Sequence, residues 1–252
     1  MILLSLFTPS LSFAKGGNKT IHTENLIEIL LSYDHILKNP PSISTYNSTY
    51  QKTLTAFEEK KQKWNQDKRF LAHVFFKIHQ EYLKKYAPLP SFKATLKNGT
   101  YGCLTGTILY ALFLKDLGYN YELIESNYHI VLIVKVKDER FLFEATDPIH
   151  GFITNSSQID SKLAAMQAAN RGKGEKGKYY FTTQTYNKVT LSNLIGLQLY
   201  NMAIVAYNHH NFKEAAKLLS HAKRYYSSER LEEFSQLLIS QLNAQLISGI
   251  QE

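Results

Sequence analysis

The sequence predicts an α+β fold, and three observations carry that reading. Leu104–Leu117 is apolar nearly all round, the pattern of a helix buried on every side. It is followed by three runs of strand character, Tyr121–Ile124, His129–Val136 and Arg140–Ala145, the last two joined by the short polar connection Lys137-Asp138-Glu139. A buried helix followed by hairpin-linked strands implies helices packed on an antiparallel sheet. The composition agrees: 252 residues with 44% hydrophobic and 20% charged side chains are enough for one large domain or two small ones with a real core.

Taken in order, residues 1–14, MILLSLFTPSLSFA, carry an apolar run and end in Ser12-Phe13-Ala14, small residues at the −3 and −1 positions of a secretory cleavage site. This predicts a signal peptide and a secreted or periplasmic protein. Leu26, Ile27, Ile29, Leu30 and Leu31 form a short apolar helix. Pro40-Pro41 and the Ser/Thr/Asn cluster after them read as a loop. Asp67 is placed to cap a longer helix over 67–86, where Leu71, Val74, Phe75, Ile78 and Tyr82 recur at helical spacing before Pro88 and Pro90 stop it. Gly99–Gly102 is a turn, and Gly118 closes the buried helix. Residues 23–150 thus form one core with a helical lead.

Residues 151–190 read as a connecting region, with a short helix over 161–170, a basic glycine-punctuated loop at 171–178, and one or two strands over 179–191. From Ser192 to about residue 250 the chain is helical. Tyr200-Asn201-Met202-Ala203, then Tyr207, Phe212, Ala215 and Ala222, resemble one tetratricopeptide repeat, with Asn208–Asn211 as the turn and Leu231–Leu246 as a covering helix. A single repeat cannot build a superhelix, so it reads as a hairpin packed on the main domain, with partner binding as the other reading.

The chemistry centres on Cys103, the chain's lone cysteine. It stands where a glycine turn enters the buried helix. A helix N-terminus favours an anion there, and its first N–H groups are donors for an oxyanion. Gly102 is read as leaving room for a substrate to approach the sulfur. A thiolate nucleophile needs a base, and the base needs a third group to orient it. His129 opens one strand and Asp147 closes the next, so a pairing through the 137–139 turn brings them to one end of the hairpin. The predicted triad is Cys103, His129 and Asp147, at intervals of 26 and 18 residues. Glu144, one strand step away, reads as solvated. The oxyanion donors are Cys103 itself with Asn98 or Tyr101 as candidates. A buried thiol that only packs is the competing reading of position alone.

Gly102-Cys103-Leu104-Thr105, Leu117-Gly118-Tyr119, Tyr128-His129-Ile130 and Thr146-Asp147-Pro148 together resemble the core of the transglutaminase-like superfamily. That resemblance implies a papain-like core with Cys on a helix and His and Asp on adjacent strands. With the tetratricopeptide-like helices behind it, the chain is similar to a bacterial branch of that superfamily. It implies thiol-dependent acyl transfer on an amide or peptide substrate, as a cysteine peptidase, amidase or cross-linking enzyme, without a cofactor. The alternative expectation is a non-catalytic module that binds a peptide or cell-wall strand in the same cleft and recruits a protein partner through its C-terminal helices.

One cysteine excludes an internal disulfide framework and any multi-cysteine metal site. His73 and His79 do not share a helix face at i, i+4, and His209-His210 reads as a solvated turn, so no metal site is expected. His150 is also read as solvated. The net charge of +8 is spread along the sequence without a clustered nucleic-acid pattern. No apolar run approaches the roughly 20 residues of a membrane span.

Overall fold

The structure is a computed structural model and describes residues 23–33, 43–127, 129–168 and 185–248. The expected signal peptide at 1–14 and the basic loop at 171–178 lie outside them. The fold is mixed α+β. In chain order, α1 (Thr23–Ser32), α2 (Ile43–Lys63) and α3 (Asp67–Tyr82) lead into β1 (Lys85–Tyr86), α4 (Phe92–Asn98), β2 (Thr100–Tyr101) and α5 (Cys103–Asp116). Then come β3 (Tyr121–Ser126), β4 (Ile130–Val136), β5 (Glu139–Phe143), β6 (Phe152–Ile153), α6 (Ser156–Ala168) and β7 (Tyr186–Val189). Helices α7 (Leu191–Asn208), α8 (Phe212–Ala222) and α9 (Glu229–Ser248) complete the described chain.

Strands β3 to β7 make a five-stranded antiparallel sheet in the order β6-β5-β4-β3-β7. Both faces of β4 are buried, and two separate core clusters explain its unbroken Ile-Val-Leu-Ile-Val run. Leu132 and Val134 face the main core with α5, whereas Val131 and Ile133 face a smaller cluster with Leu142 of β5 and Ile159 and Met166 of α6. The sheet is therefore a middle layer between α5 and α6.

Helix α5 is the axis of the main core. Eleven of its residues, Leu104 to Leu114, are buried. Tyr110 stacks on Phe75 of α3 at 5.5 Å between ring centroids and donates its hydroxyl to the Phe75 carbonyl at 3.1 Å, which seats α3 against α5. On its other side α5 meets α7, where Leu194, Leu197 and Tyr200 are buried. Ala203, Ala215 and Ala222 are fully buried in the C-terminal helices, as close helix approach requires.

Three local expectations are corrected. Residues 43–63, read in part as a Ser/Thr/Asn loop, form helix α2, where Tyr50, Leu54 and Phe57 are buried and tertiary packing overrides weak propensity. Helix α3 stops at Tyr82 rather than 86, because residues 85–86 leave it to pair with β2, and its N-cap is Gln66 rather than Asp67. Asp67 instead accepts the Tyr119 hydroxyl at 2.7 Å. Residues 92–98, unassigned from sequence, form α4, capped by the Ser91 hydroxyl on the Ala94 N–H.

Gly106 lies where α5 meets the end of β5. A Cβ there would stand 2.7 Å from the Ala145 Cβ, inside contact distance. Gly106→Ala is therefore expected to cost about 1–3 kcal/mol of stability by overpacking. Urea unfolding checks this, and an unchanged midpoint would mean that α5 is not seated on Ala145.

Candidate active site

Cys103 is the first residue of α5, after the extended N-cap Gly102. The Thr105 hydroxyl accepts the Gly102 N–H at 3.1 Å and is itself held by Thr95 of α4 at 2.9 Å. The helical ladder begins beyond the thiol, with Gly106 N–H on the Gly102 carbonyl at 3.0 Å, so the Cys103 N–H precedes it. Thr107 donates to the Ile130 carbonyl at 3.4 Å and brings the first turns of α5 up to the start of β4. His129 immediately precedes β4, fixed by its carbonyl on the Ser126 N–H at 2.7 Å. The structure thus brings Cys103 and His129 together: their side chains share a hydrogen bond, and the thiol is half-buried.

The carboxylate on the imidazole is Glu144, not Asp147. Glu144 Oε2 pairs with His129 Nε2 and, at 3.1 Å, with Lys162 Nζ of α6. Its Oε1 accepts the Thr146 N–H at 3.1 Å and the Thr146 hydroxyl at 2.7 Å. With Nε2 taken by Glu144, the other ring nitrogen is the one left for sulfur. Glu144 is 2% exposed, which corrects its reading as a solvated strand residue.

The strand register explains the exchange. Leu132 pairs with Phe143, so continuing the ladder puts His129 level with Thr146. Side chains alternate, so carrying this register past the end of β5 puts residues 144 and 146 on the face of His129, whereas 147 has the opposite parity. Asp147 has in any case left the sheet. Its Oδ1 accepts the Ile149 and His150 N–H groups at 3.2 and 2.8 Å, closing a turn with its side chain 45% exposed.

Burial works against a charge on His129, but hydrogen bonds to Cys103 and Glu144, with their charges, outweigh it and push the ring up to about 9. Burial likewise opposes the Glu144 charge, but His129, Thr146 and Lys162 hold its carboxyl down at about 2.

Neither candidate oxyanion side chain lines the cavity beside Cys103. Asn98 ends α4, accepts the Thr100 N–H at 3.0 Å, and lines a different cavity of about 750 Å³. That cavity gathers Lys52, Lys60, Lys63, Lys77, Lys84 and Lys97, so charge that looks scattered in sequence is partly collected in space. Tyr101 is buried, with its ring edge-on to His79 and Tyr86. Gly102 does not open a path to the sulfur either: Pro90 Cδ and the Ala87 carbonyl would lie 2.9 and 3.1 Å from a Cβ there. The glycine is needed for the 87–90 segment to pack. Among the other histidines, His79 is buried between Phe75, Tyr101 and Tyr110, and burial lowers it to about 4, so it is a neutral core residue at ordinary pH.

A second group was not foreseen. Glu125 of β3 forms a buried ion pair with Arg230 of α9 and accepts the Tyr226 hydroxyl. Arg230 donates to the Asn127 carbonyl at 3.4 Å and lies over the Tyr200 ring at 5.2 Å. Glu125, Asn127 and Arg230 line one cavity with Cys103 and His129. No sequence signal links residues 125 and 230.

The raised His129 contributes stability that is complete below its ordinary pKa of about 6.5 and lost as pH rises through about 9; the lowered Glu144 contributes above its ordinary 4.5 and loses it toward about 2. The pair therefore stabilises most between about pH 4.5 and 6.5. An NMR titration of the His129 ring is expected to show a midpoint near 9, falling in Glu144→Gln. A midpoint at or below 6.5 in the unaltered protein would break the pairing.

Comparison of the chain with protein-family models, with curated proteins and with solved structures finds no match.

Proposed function

We propose that the protein is a thiol-dependent acyl-transfer enzyme with a transglutaminase-like, papain-like core, acting on an amide or peptide. Cys103 is the nucleophile, His129 its proton carrier and Glu144 the orienting carboxylate. The observation that carries this reading is the chain of contacts from a thiol at a buried helix's first residue, through one imidazole, to a carboxylate that four donors hold ionised. A structural cysteine has no need of an imidazole so held.

The Cys103 sulfur, as thiolate, attacks the carbonyl carbon, and the carbonyl oxygen takes up negative charge beside the Cys103 N–H at the head of α5. The His129 imidazolium gives its proton to the leaving nitrogen, the C–N bond breaks, and an acyl-thioester and a free amine result. Neutral His129 then takes a proton from water as its oxygen attacks the thioester. The acid leaves and the thiolate–imidazolium pair is restored. An amine in place of water gives a new amide. Glu144 keeps its charge throughout and holds one tautomer and one orientation of the ring.

The resemblance that supports this reading carries an aspartate at Thr146-Asp147-Pro148; here the role falls to a glutamate three residues earlier. Alkylation by iodoacetamide at pH 6 separates the two carboxylates and tests the enzyme against a binding module. His129→Ala is expected to slow it at least tenfold, Glu144→Gln to slow it several-fold, and Asp147→Asn to leave it within twofold of the parent. Slow alkylation of the unaltered protein that ignores residue 129 sinks the catalytic reading and favours a binding module.

A further inference from the structure

We propose that the cavity beside Cys103 receives one bulky, uncharged apolar side chain of the acyl donor, and that helix α7 makes the C-terminal region the selecting wall of the site. The proposal rests on the acyl-transfer reading for the word donor, and on the cavity alone for the choice of side chain.

The cavity has a volume of about 190 Å³ and opens against the thiol. A dry cavity of roughly 150 Å³ suffices for benzene, so a leucyl or phenyl group fits and a glycine leaves it empty. Its lining is mainly apolar. Leu104 and Ile130 of the core line it together with Leu197, Tyr200 and Ile204 of α7.

Besides His129, the cavity is lined by one acid and one base, Glu125 and Arg230, and this pair does not ask for a charged occupant. The Arg230 guanidinium is committed to Glu125, to the Asn127 carbonyl and to the Tyr200 ring. A charged group entering there would have to break a buried pair, at high cost, whereas an apolar one leaves it intact.

Leu89 also lines the cavity; it is 37% exposed and has a φ of 49°, a left-handed conformation that leucine rarely adopts. It is held there between Pro88 and Pro90, and Gln198 of α7 donates to the Pro90 carbonyl at 3.1 Å. That bond braces the Leu89 lip to α7, so the width between the lip and the helix is fixed before anything binds. Strain retained at the rim of a reactive thiol is expected where the shape of the opening matters.

The test uses the full chain and a series of N-acyl aminoacyl chloromethyl ketones carrying glycine, alanine, leucine or phenylalanine. In each the sulfur displaces chloride, forming a C–S bond as C–Cl breaks, and the adduct is followed by intact mass. Every rate is divided by the same protein's iodoacetamide rate, so the ratio reports the cavity and not the reactivity of the thiol. The leucine and phenylalanine probes are expected to react at least tenfold faster than the glycine probe on this scale. Asn201→Trp, which introduces a ring from a half-buried position at the mouth, is expected to abolish most of that preference. Ile204→Ala is expected to shift it toward phenylalanine. Glycine and phenylalanine ratios within threefold of each other, or a preference untouched by Asn201→Trp, overturn the proposal. Because the ratio needs only a thiol that reacts, loss of the His129 dependence would remove the catalytic reading while this selectivity still stood or fell separately.

Discussion

A carboxylate taken out of water must be matched by donors or it will hold its proton. Glu144 is matched on both oxygens, by Thr146 on one side and by His129 and Lys162 on the other. The contacts of the candidate site hang from that arrangement. It keeps the imidazole charged and in one orientation, and the imidazole in turn meets the thiol. The donors come from three places: the turn after β5, the residue before β4, and α6. The site is therefore a product of the sheet being sandwiched, since α6 reaches Glu144 only because the second face of the sheet is covered.

The other constraint is helix α5. Its burial on all sides fixes where its first residue can stand, and the first residue is the cysteine. The tyrosine at 110 locks α3 to it, the glycine at 106 lets β5 come close, and threonines at 95, 105 and 107 anchor its start to α4 and β4. The thiol at its first residue is therefore held in place by the packing of the whole helix.

Much of this was legible in the residues. The all-round apolar run announced α5, the two runs of strand character and the polar 137–139 connection announced the β4–β5 hairpin, and both members of the thiol–imidazole pair could be picked out. What failed had physical causes. Helix α2 carries a polar first half whose few apolar residues matter only once α5 is in place. Asp147 is favoured in sequence because it closes the strand after the 137–139 turn and belongs to the resembling Thr146-Asp147-Pro148 motif, whereas the register that puts residue 144 on the face of His129 is set only in the folded sheet. The link between Glu125 and Arg230 spans most of the fold and follows from packing of α9, which no local pattern encodes. The membrane question is simpler: among the described residues no helix is long and apolar enough to cross a bilayer.

The bond from Gln198 to the Pro90 carbonyl joins two parts of the chain that sequence alone divides into separate units. With Tyr200 and Arg230 it means that the region resembling a tetratricopeptide repeat cannot be treated as detachable cargo. A chimera that grafted these helices onto another protein would carry away half of the recess. A core trimmed after β7 would expose the flank of α5 to solvent.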